Sequence, residues 1–341
     1  MKKAIFILLS LISAAALLLS YAAALIPPHT AWFLTIFGIL FVPIFILTAL
    51  CFIVAIFRRS RLTALLMLVL LPSILVFGKH YKFKAHESEV PDIKMVSYNV
   101  GLFAHSKDSE DGSSRVTLAD SIVTFLKDSD ADIIMLQEFY LPAGFSMDRF
   151  LKTRFPEYNA EYYVRTDHEG SSGNVTLSRY PIVRKGRQGF ENSTNLALWT
   201  DVSLPVGVMR IFNCHLESYN VSPGKFLKDH PWEKIRASIG ARHAQVDAIL
   251  EDIRQSPVRS IVAGDFNDTP LSWTYRKLSS SRRDAFSEAG KGFGATFRPF
   301  WPPLRIDYIL CPPELEAVLY EVGKVRFSDH YPVIAGYRAN D

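Results

Sequence analysis

The chain has 341 residues, with 38 Lys and Arg against 34 Asp and Glu, for a formal net charge of +4. Five of the basic residues (Lys2, Lys3, Arg58, Arg59, Arg61) and none of the acidic ones fall in 1–78, which leaves 33 basic against 34 acidic residues in 79–341. That balance excludes the general basic surplus with which a domain grips a long nucleic acid, short of a local patch; three cysteines without metal-like spacing exclude a disulfide framework.

In chain order, the runs 4–26, 31–57 and 62–78 carry no charge. A spanning helix needs about 20 apolar residues. The first two runs reach that length; the third is marginal, with Pro72 placed to kink it. Three transmembrane helices are therefore expected over 1–78. Lys2 and Lys3 precede the first, Pro27-Pro28-His29-Thr30 forms an uncharged first loop, and Arg58, Arg59 and Arg61 fill the second. Cytoplasmic loops are the ones rich in Lys and Arg. The N-terminus and the arginine loop are thus expected in the cytoplasm, and everything beyond 78 outside it. The outcome is a multi-pass protein of a cell or inner membrane with an extracytoplasmic domain. Lys2-Lys3, the apolar stretch and Ala22-Ala23-Ala24 also fit a cleaved signal peptide; two spans would then remain, and the domain would still face outward.

Residues 79–92 read as a polar, charged linker, and the ~250 residues of 93–341 suit one large domain. A helix is expected over 113–127, with Val116, Ala119, Ile122, Val123 and Leu126 as its buried stripe, and a longer one over 232–254. Strands are expected at 158–165, 173–178, 182–188, 196–203, 207–214, 306–310, 318–325 and 332–337. Many strands with a few interspersed helices imply two packed sheets with helices outside.

Several of the apolar runs end in a residue suited to chemistry rather than packing. Ser260-Ile261-Val262-Ala263-Gly264 breaks into Asp265-Phe266-Asn267, where an extended backbone would place Asp265 and Asn267 on one face. The run 93–98 leads into Asn99, 132–137 into Glu138 and 208–214 into His215; Asp307 lies within Arg-Ile-Asp-Tyr-Ile-Leu, and Asp329-His330 precedes Tyr-Pro-Val-Ile. Oxygen donors and imidazoles at strand ends supply what metal-assisted phosphoester chemistry requires: hard ligands for Mg²⁺ and groups for proton transfer.

In order, Ser-Tyr-Asn99, Leu-Gln-Glu138, Gly-Asn-Val-Thr-Leu-Ser-Arg-Tyr-Pro at 173–181, Cys-His215-Leu-Glu, Gly-Asp265-Phe-Asn267, Arg-Ile-Asp307-Tyr and Ser-Asp329-His330 resemble the endonuclease/exonuclease/phosphatase superfamily, the group of DNase I. The resemblance covers 93–338 and implies a four-layer α/β sandwich. It implies that Glu138, assisted by Asn99 and Asp329, holds Mg²⁺ (or Mn²⁺). Asp265 and Asn267 would place the attacking water or bind the phosphoryl group, and His215 would donate to phosphate oxygens. His330, oriented by Asp307, would be a general base, with Asp265 the other choice for that role. Cys214, Cys311 and Cys51 read as core residues; His215 does not make Cys214 a nucleophile.

The substrate stays open. The membrane anchor and the neutral domain point to a phosphodiesterase or phosphatase acting on a lipid head group or another small phosphoester, with small phosphodiesters favoured and no obligate protein partner. An exported, membrane-bound nuclease acting on nucleic acid is the alternative, on the strength of Arg179, Arg184 and Arg187; an idle binding module is the third reading. Phe293, Phe297, Phe300 and Trp301 in the Gly- and Pro-rich stretch 292–303 could stack on a base, touch lipid or cover the core. Lys225 and Lys228 are expected on a loop rimming the site.

Overall fold

The computed structural model describes residues 2–83, 90–103, 113–190, 193, 195–219, 231–299 and 304–339. Lys225, Lys228, Phe300 and Trp301 lie outside the described residues. The chain forms two compact units. The first holds Met1–Tyr81, Ser218–Ala244 and Asp268–Lys277, and the second Lys82–Glu217, Gln245–Asn267 and Leu278–Asp341.

The first unit begins with α1 (Lys2–Leu25), α2 (Pro28–Ala31), α3 (Leu34–Ile39), α4 (Phe41–Phe57), α5 (Leu62–Leu70) and α6 (Ser73–Phe77). Of the three expected spans, only the first is one unbroken helix long and apolar enough to cross a membrane, Lys3–Leu25. The other two leave the shorter apolar helices Phe41–Phe57 and Leu62–Phe77. The second run breaks at Leu40 because of Pro43: proline lacks an N–H and clashes with the carbonyl four residues back, so it is tolerated only in the first turn, where it sits in α4. The third bends at Pro72, between α5 and α6.

These helices pack with small and polar side chains inward. Ser20 Oγ donates to the carbonyls of Ala16 and Phe37, and Thr48 Oγ1 to those of Ile44 and Ser13. Tyr21 Oη donates to Val69 O across to α5. Leu17, Phe41, Leu66 and Val69 are buried with them, while other large apolar side chains face outward: Ile5, Leu8 and Ile12 on α1, Ile46 and Leu50 on α4, Leu68 on α5, Leu75 on α6.

Beyond these helices the chain forms β1 (Ile93–Asn99), α7 (Ser113–Asp128), β2 (Ile133–Pro142), α8 (Met147–Arg154), β3 (Asn159–Thr166), β4 (Gly170–Ser178), β5 (Ile182–Gly189), β6 (Leu196–Leu204) and β7 (Gly207–His215), followed by α9 (Pro231–Gln255), β8 (Ser260–Asp265), α10 (Trp273–Leu278), β9 (Arg283–Asp284), α11 (Ala285–Ala289), β10 (Asp307–Cys311), β11 (Leu315–Val322) and β12 (Val333–Ala339). The division between the units runs through α9 and α10. The strands form two six-stranded mixed sheets, ordered β11-β12-β1-β2-β4-β3 and β5-β6-β7-β8-β10-β9.

Side chains alternate along each strand, and that alternation builds the layers. On β1 and β2, Ile93, Met95, Ile133 and Met135 join Ile211 of β7, Ile261 and Ala263 of β8 and Ile309 of β10 in the core between the sheets. Val96, Tyr98, Ile134 and Leu136 face the other way and pack with Ile122 and Leu126 of α7 and Leu151 of α8. The expected sandwich of two sheets with helices outside is what forms.

Candidate active site

The inner positions of the central strands change character toward one end. On β1 the series runs Met95, Ser97, Asn99; on β2, Met135, Gln137; on β7, Ile211, Asn213, His215; on β8, Ile261, Ala263, Asp265; on β10, read backwards, Cys311, Ile309, Asp307. Register keeps these ends level: Asn99 lies opposite Gln137, and Asp265 opposite both His215 and Asp307. The inter-sheet core therefore grades from apolar through neutral amides to ionisable groups.

No member of the amide layer was expected as a site residue, although Gln137 and Asn213 lie one and two residues before Glu138 and His215, and Asn174 lies in the 173–181 motif. Gln137 Nε2 donates to Asn213 Oδ1 (2.8 Å), and Asn213 Nδ2 donates to the carbonyls of Leu136 (3.1 Å) and Val175 (2.9 Å). Asn174 Nδ2 donates to Asn213 O (2.9 Å). All three are fully buried, so the network ties the sheets together by hydrogen bonds where apolar packing gives way.

Above it stands the ionisable layer. Asn99 Nδ2 donates to Glu138 Oε1 (3.0 Å) and to Asp265 Oδ2 (2.9 Å), joining a carboxylate of each sheet, while Asn99 Oδ1 accepts from Gly101 N. His215 Nε2 lies 3.4 Å from Glu138 Oε1. His330 Nδ1 meets Asp307 Oδ2 at 2.9 Å, and its Nε2 faces Asp265 Oδ2 at 3.6 Å. The ring of Phe297 packs against that of His330, with centroids 5.0 Å apart. Thr296 Oγ1 accepts from the Ile306 and Asp307 amides. Phe297 thus supports a site residue, whereas sequence left its role among three readings.

Local backbone explains the aim of these groups. The register of β2 against β4 shifts between Leu136 and Phe139, and Glu138 takes a left-handed φ of 50° at this bulge. A bulge re-aims one side chain without ending the strand. Gly264 has φ 125°, and a Cβ there would fall on the Cys214 carbonyl, so only glycine allows β7 and β8 to approach so closely. The expectation that Asp265 and Asn267 share a face of one extended strand is corrected: β8 ends at Asp265 and Asn267 has φ 50°. Phe266, wholly buried, takes the chain inward and turns it. Asn267 is held by its own N–H to Asp265 Oδ1 (2.8 Å) and by Nδ2 to Leu216 O (2.8 Å).

Burial pushes the Asp265 carboxyl above its ordinary range, partly offset by His330. Burial would push His330 down, but the Asp307 and Asp265 charges outweigh it and raise the imidazole, favouring the imidazolium. Burial also pushes the Cys214 thiol far up, which leaves it inert as a nucleophile. Asp329 is half-buried and accepts from Ser328 Oγ (3.2 Å). Among the described residues, Asp265, Asp307 and His330 lie close enough together to share one metal ion.

Such a two-sheet scaffold, with carboxylates, an amide and imidazoles at its shared polar end, defines a class of phosphoester hydrolases. The sequence profile of the Endonuclease/Exonuclease/phosphatase family matches residues 96–330, and the chain belongs to that family. Residues 3–80 match a second profile, described as a domain of unknown function (DUF8431). A search among curated proteins finds no match. Among solved structures, an endonuclease/exonuclease/phosphatase from Beutenbergia cavernae is 18% identical with a TM-score of 0.56, covering 73% of this chain and 72% of its own. One from Bacteroides vulgatus is 20% identical with a TM-score of 0.55, covering 73% and 99%. The human Nocturnin catalytic domain with bound sulfate is 17% identical with a TM-score of 0.54, covering 74% and 96%. At these identities the likeness is one of fold.

Proposed function

We propose that the chain is a membrane-anchored, divalent-metal-dependent phosphoester hydrolase acting outside the cytoplasm on a lipid head group or another small phosphodiester. The observation that carries this reading is the convergence of Asn99, Glu138, His215, Asp265, Asp307 and His330 at the polar end of the inter-sheet core. The residues fit a hard cation. Carboxylates outnumber the imidazoles, and the buried Oδ1 of Asp307 has no hydrogen-bond partner among the described residues. Glu138 is the favoured ligand because its side chain is 30% exposed, whereas Asp265 and Asp307, 1% exposed, are already committed to His330. Asn99 and Asp329 would complete the set. Bound there, Mg²⁺ or Mn²⁺ would neutralise phosphate charge and stabilise the leaving oxygen.

The remaining chemistry falls to the chain's own groups. His330 Nδ1 meets Asp307 and its Nε2 faces Asp265 at 3.6 Å, and the two carboxylates favour the imidazolium, which has no lone pair to take a proton. It serves as a fixed positive charge beside the phosphoryl oxygens, and Asp265 accepts the proton of the attacking water. Asn267, pinned at both ends, binds the phosphoryl group, and His215 donates to an oxygen as charge develops. The water–phosphorus bond forms as the bond to the leaving oxygen breaks, without a covalent intermediate.

Two observations support the membrane setting. Outward-facing Ile5, Leu8, Leu50, Leu68 and Leu75 would be poorly placed in water, and inward Ser and Thr are what close helix packing in lipid favours. With Arg58, Arg59 and Arg61 in a cytoplasmic loop, protease added outside intact spheroplasts is expected to digest 79–341; full protection until lysis would place the domain in the cytoplasm. The nuclease reading is weakened because Arg179 is paired with Asp130 (2.6 Å) and Arg187 with Glu161 (3.2 Å). Full-length protein in lipid nanodiscs is expected to hydrolyse phospholipid head groups faster than plasmid DNA, and the reverse order would favour the nuclease.

A further inference from the structure

The segment Asp268–Lys277 follows Asn267 directly and belongs to the same compact unit as the N-terminal helices. Leu271 is buried in the core of those helices, beside Leu17, Phe41, Leu66 and Val69. Thr269 Oγ1 donates to Gly38 O of α3 (3.3 Å), and Arg276 Nη1 to Ala24 O of α1 (3.4 Å). Gly38 is required: a Cβ there would stand 2.5 Å from Leu271 O. Asp268 is itself fixed. Its carboxylate lies 3.5 Å from the guanidinium of Arg242, both side chains being almost wholly buried, and also accepts from Tyr219 Oη and Thr269 N.

An apolar bundle that served only as a tether would have no reason to take a segment of the catalytic chain into its core. We propose that the N-terminal helices are a positioning element for the catalytic turn, holding Asp268–Lys277 through Gly38, Ala24 and the Leu271 pocket and so setting the residue to which Asn267 is bonded. Asn267 has a left-handed φ of 50°, a conformation that asparagine tolerates better than most non-glycine residues and that its neighbours hold in place here. Asp265 and Leu216 restrain it from one direction along the chain, and the clamp on Asp268 restrains it from the other. None of these helical residues touches the reacting groups; they act through the turn.

The test uses the full chain in nanodiscs and reads amide hydrogen exchange. In the native protein the Phe266, Asn267 and Thr269 amides are bonded to Ile306 O, Asp265 Oδ1 and Asp268 Oδ1. Gly38→Ala is expected to speed exchange over 266–271 by about tenfold or more while leaving 93–99 unchanged. Gly240→Ala, where a Cβ meets nothing within 4 Å, is expected to leave both unchanged. Should Gly38→Ala yield no folded protein, Thr269→Val is expected to give the same local acceleration and Thr269→Ser to restore it. Exchange over 266–271 that stays native in these variants, or rises equally over 93–99, overturns the proposal. A kinetic arm rests on the hydrolase reading: with bis(p-nitrophenyl) phosphate, kcat should fall about tenfold with KM nearly constant. Absence of turnover in the unaltered protein would count against that reading, while the exchange experiment would still decide this one.

Discussion

Glu138→Gln is expected to lower turnover by at least about 10²-fold while leaving the fold intact. The substitution removes charge and almost no volume. The amide oxygen of Gln can still accept from Asn99 Nδ2, so the bulge that aims the side chain keeps its partner. What is lost is the carboxylate through which a hard cation would be held, at the one acidic side chain of the hydrogen-bonded cluster open enough to receive it. Raising Mg²⁺, or replacing it with Mn²⁺, should recover part of the loss by mass action. Near-native turnover at ordinary Mg²⁺ would remove Glu138 from the metal site.

The second large effect is expected at the dyad. His330→Ala and Asp307→Ala should each cost about 10²–10³-fold in kcat, and the double variant should be little worse than the worse single. Groups that act as one unit are strongly non-additive, and the 2.9 Å contact between His330 Nδ1 and Asp307 Oδ2 makes them one unit. Without Asp307 the imidazole loses the first of the two charges that outweigh its burial, and its hold on the proton weakens. His168, 90% exposed, is the control histidine. Losses below tenfold at His330 would reduce it to a packing residue, and fully additive penalties would separate the pair.

Much of this arrangement is written locally. Apolar alternation on 93–98, 207–214 and 260–264 fixes which residues face the inter-sheet core, and the polar residue ending each run is legible as a site group because it breaks a pattern. The long helix over Pro231–Gln255 and the strands Ile182–Gly189 and Leu196–Leu204 follow from the same periodicities. Features that depend on partners remote in sequence are not legible. The left-handed turn at Glu138 arises because pairing with β4 shifts there, and nothing in the residue type announces it; at Asn267 the residue type permits a positive φ, but Leu216 and Asp265 are what hold it. The amide layer of Gln137, Asn213 and Asn174 looks like ordinary strand-end polarity until the two sheets are stacked. In the N-terminal region, lack of charge reveals the apolar runs and Pro72 the bend in the third, but the break at Leu40 depends on where the helix carrying Pro43 restarts. The docking of Leu271 among those helices has no local signature at all.

The central claim is that the polar end of the inter-sheet core hydrolyses a phosphoester with the help of a divalent cation. Its most direct measurement follows phosphorus by NMR as full-length protein in nanodiscs acts on its own phospholipid, before and after chelation. Release of a phosphate-bearing head group in Mg²⁺, its arrest by chelator, its return with Mg²⁺ or Mn²⁺ and its loss in Glu138→Gln are the predicted results. Release that continues undiminished in chelator, or that persists in Glu138→Gln, would contradict the account.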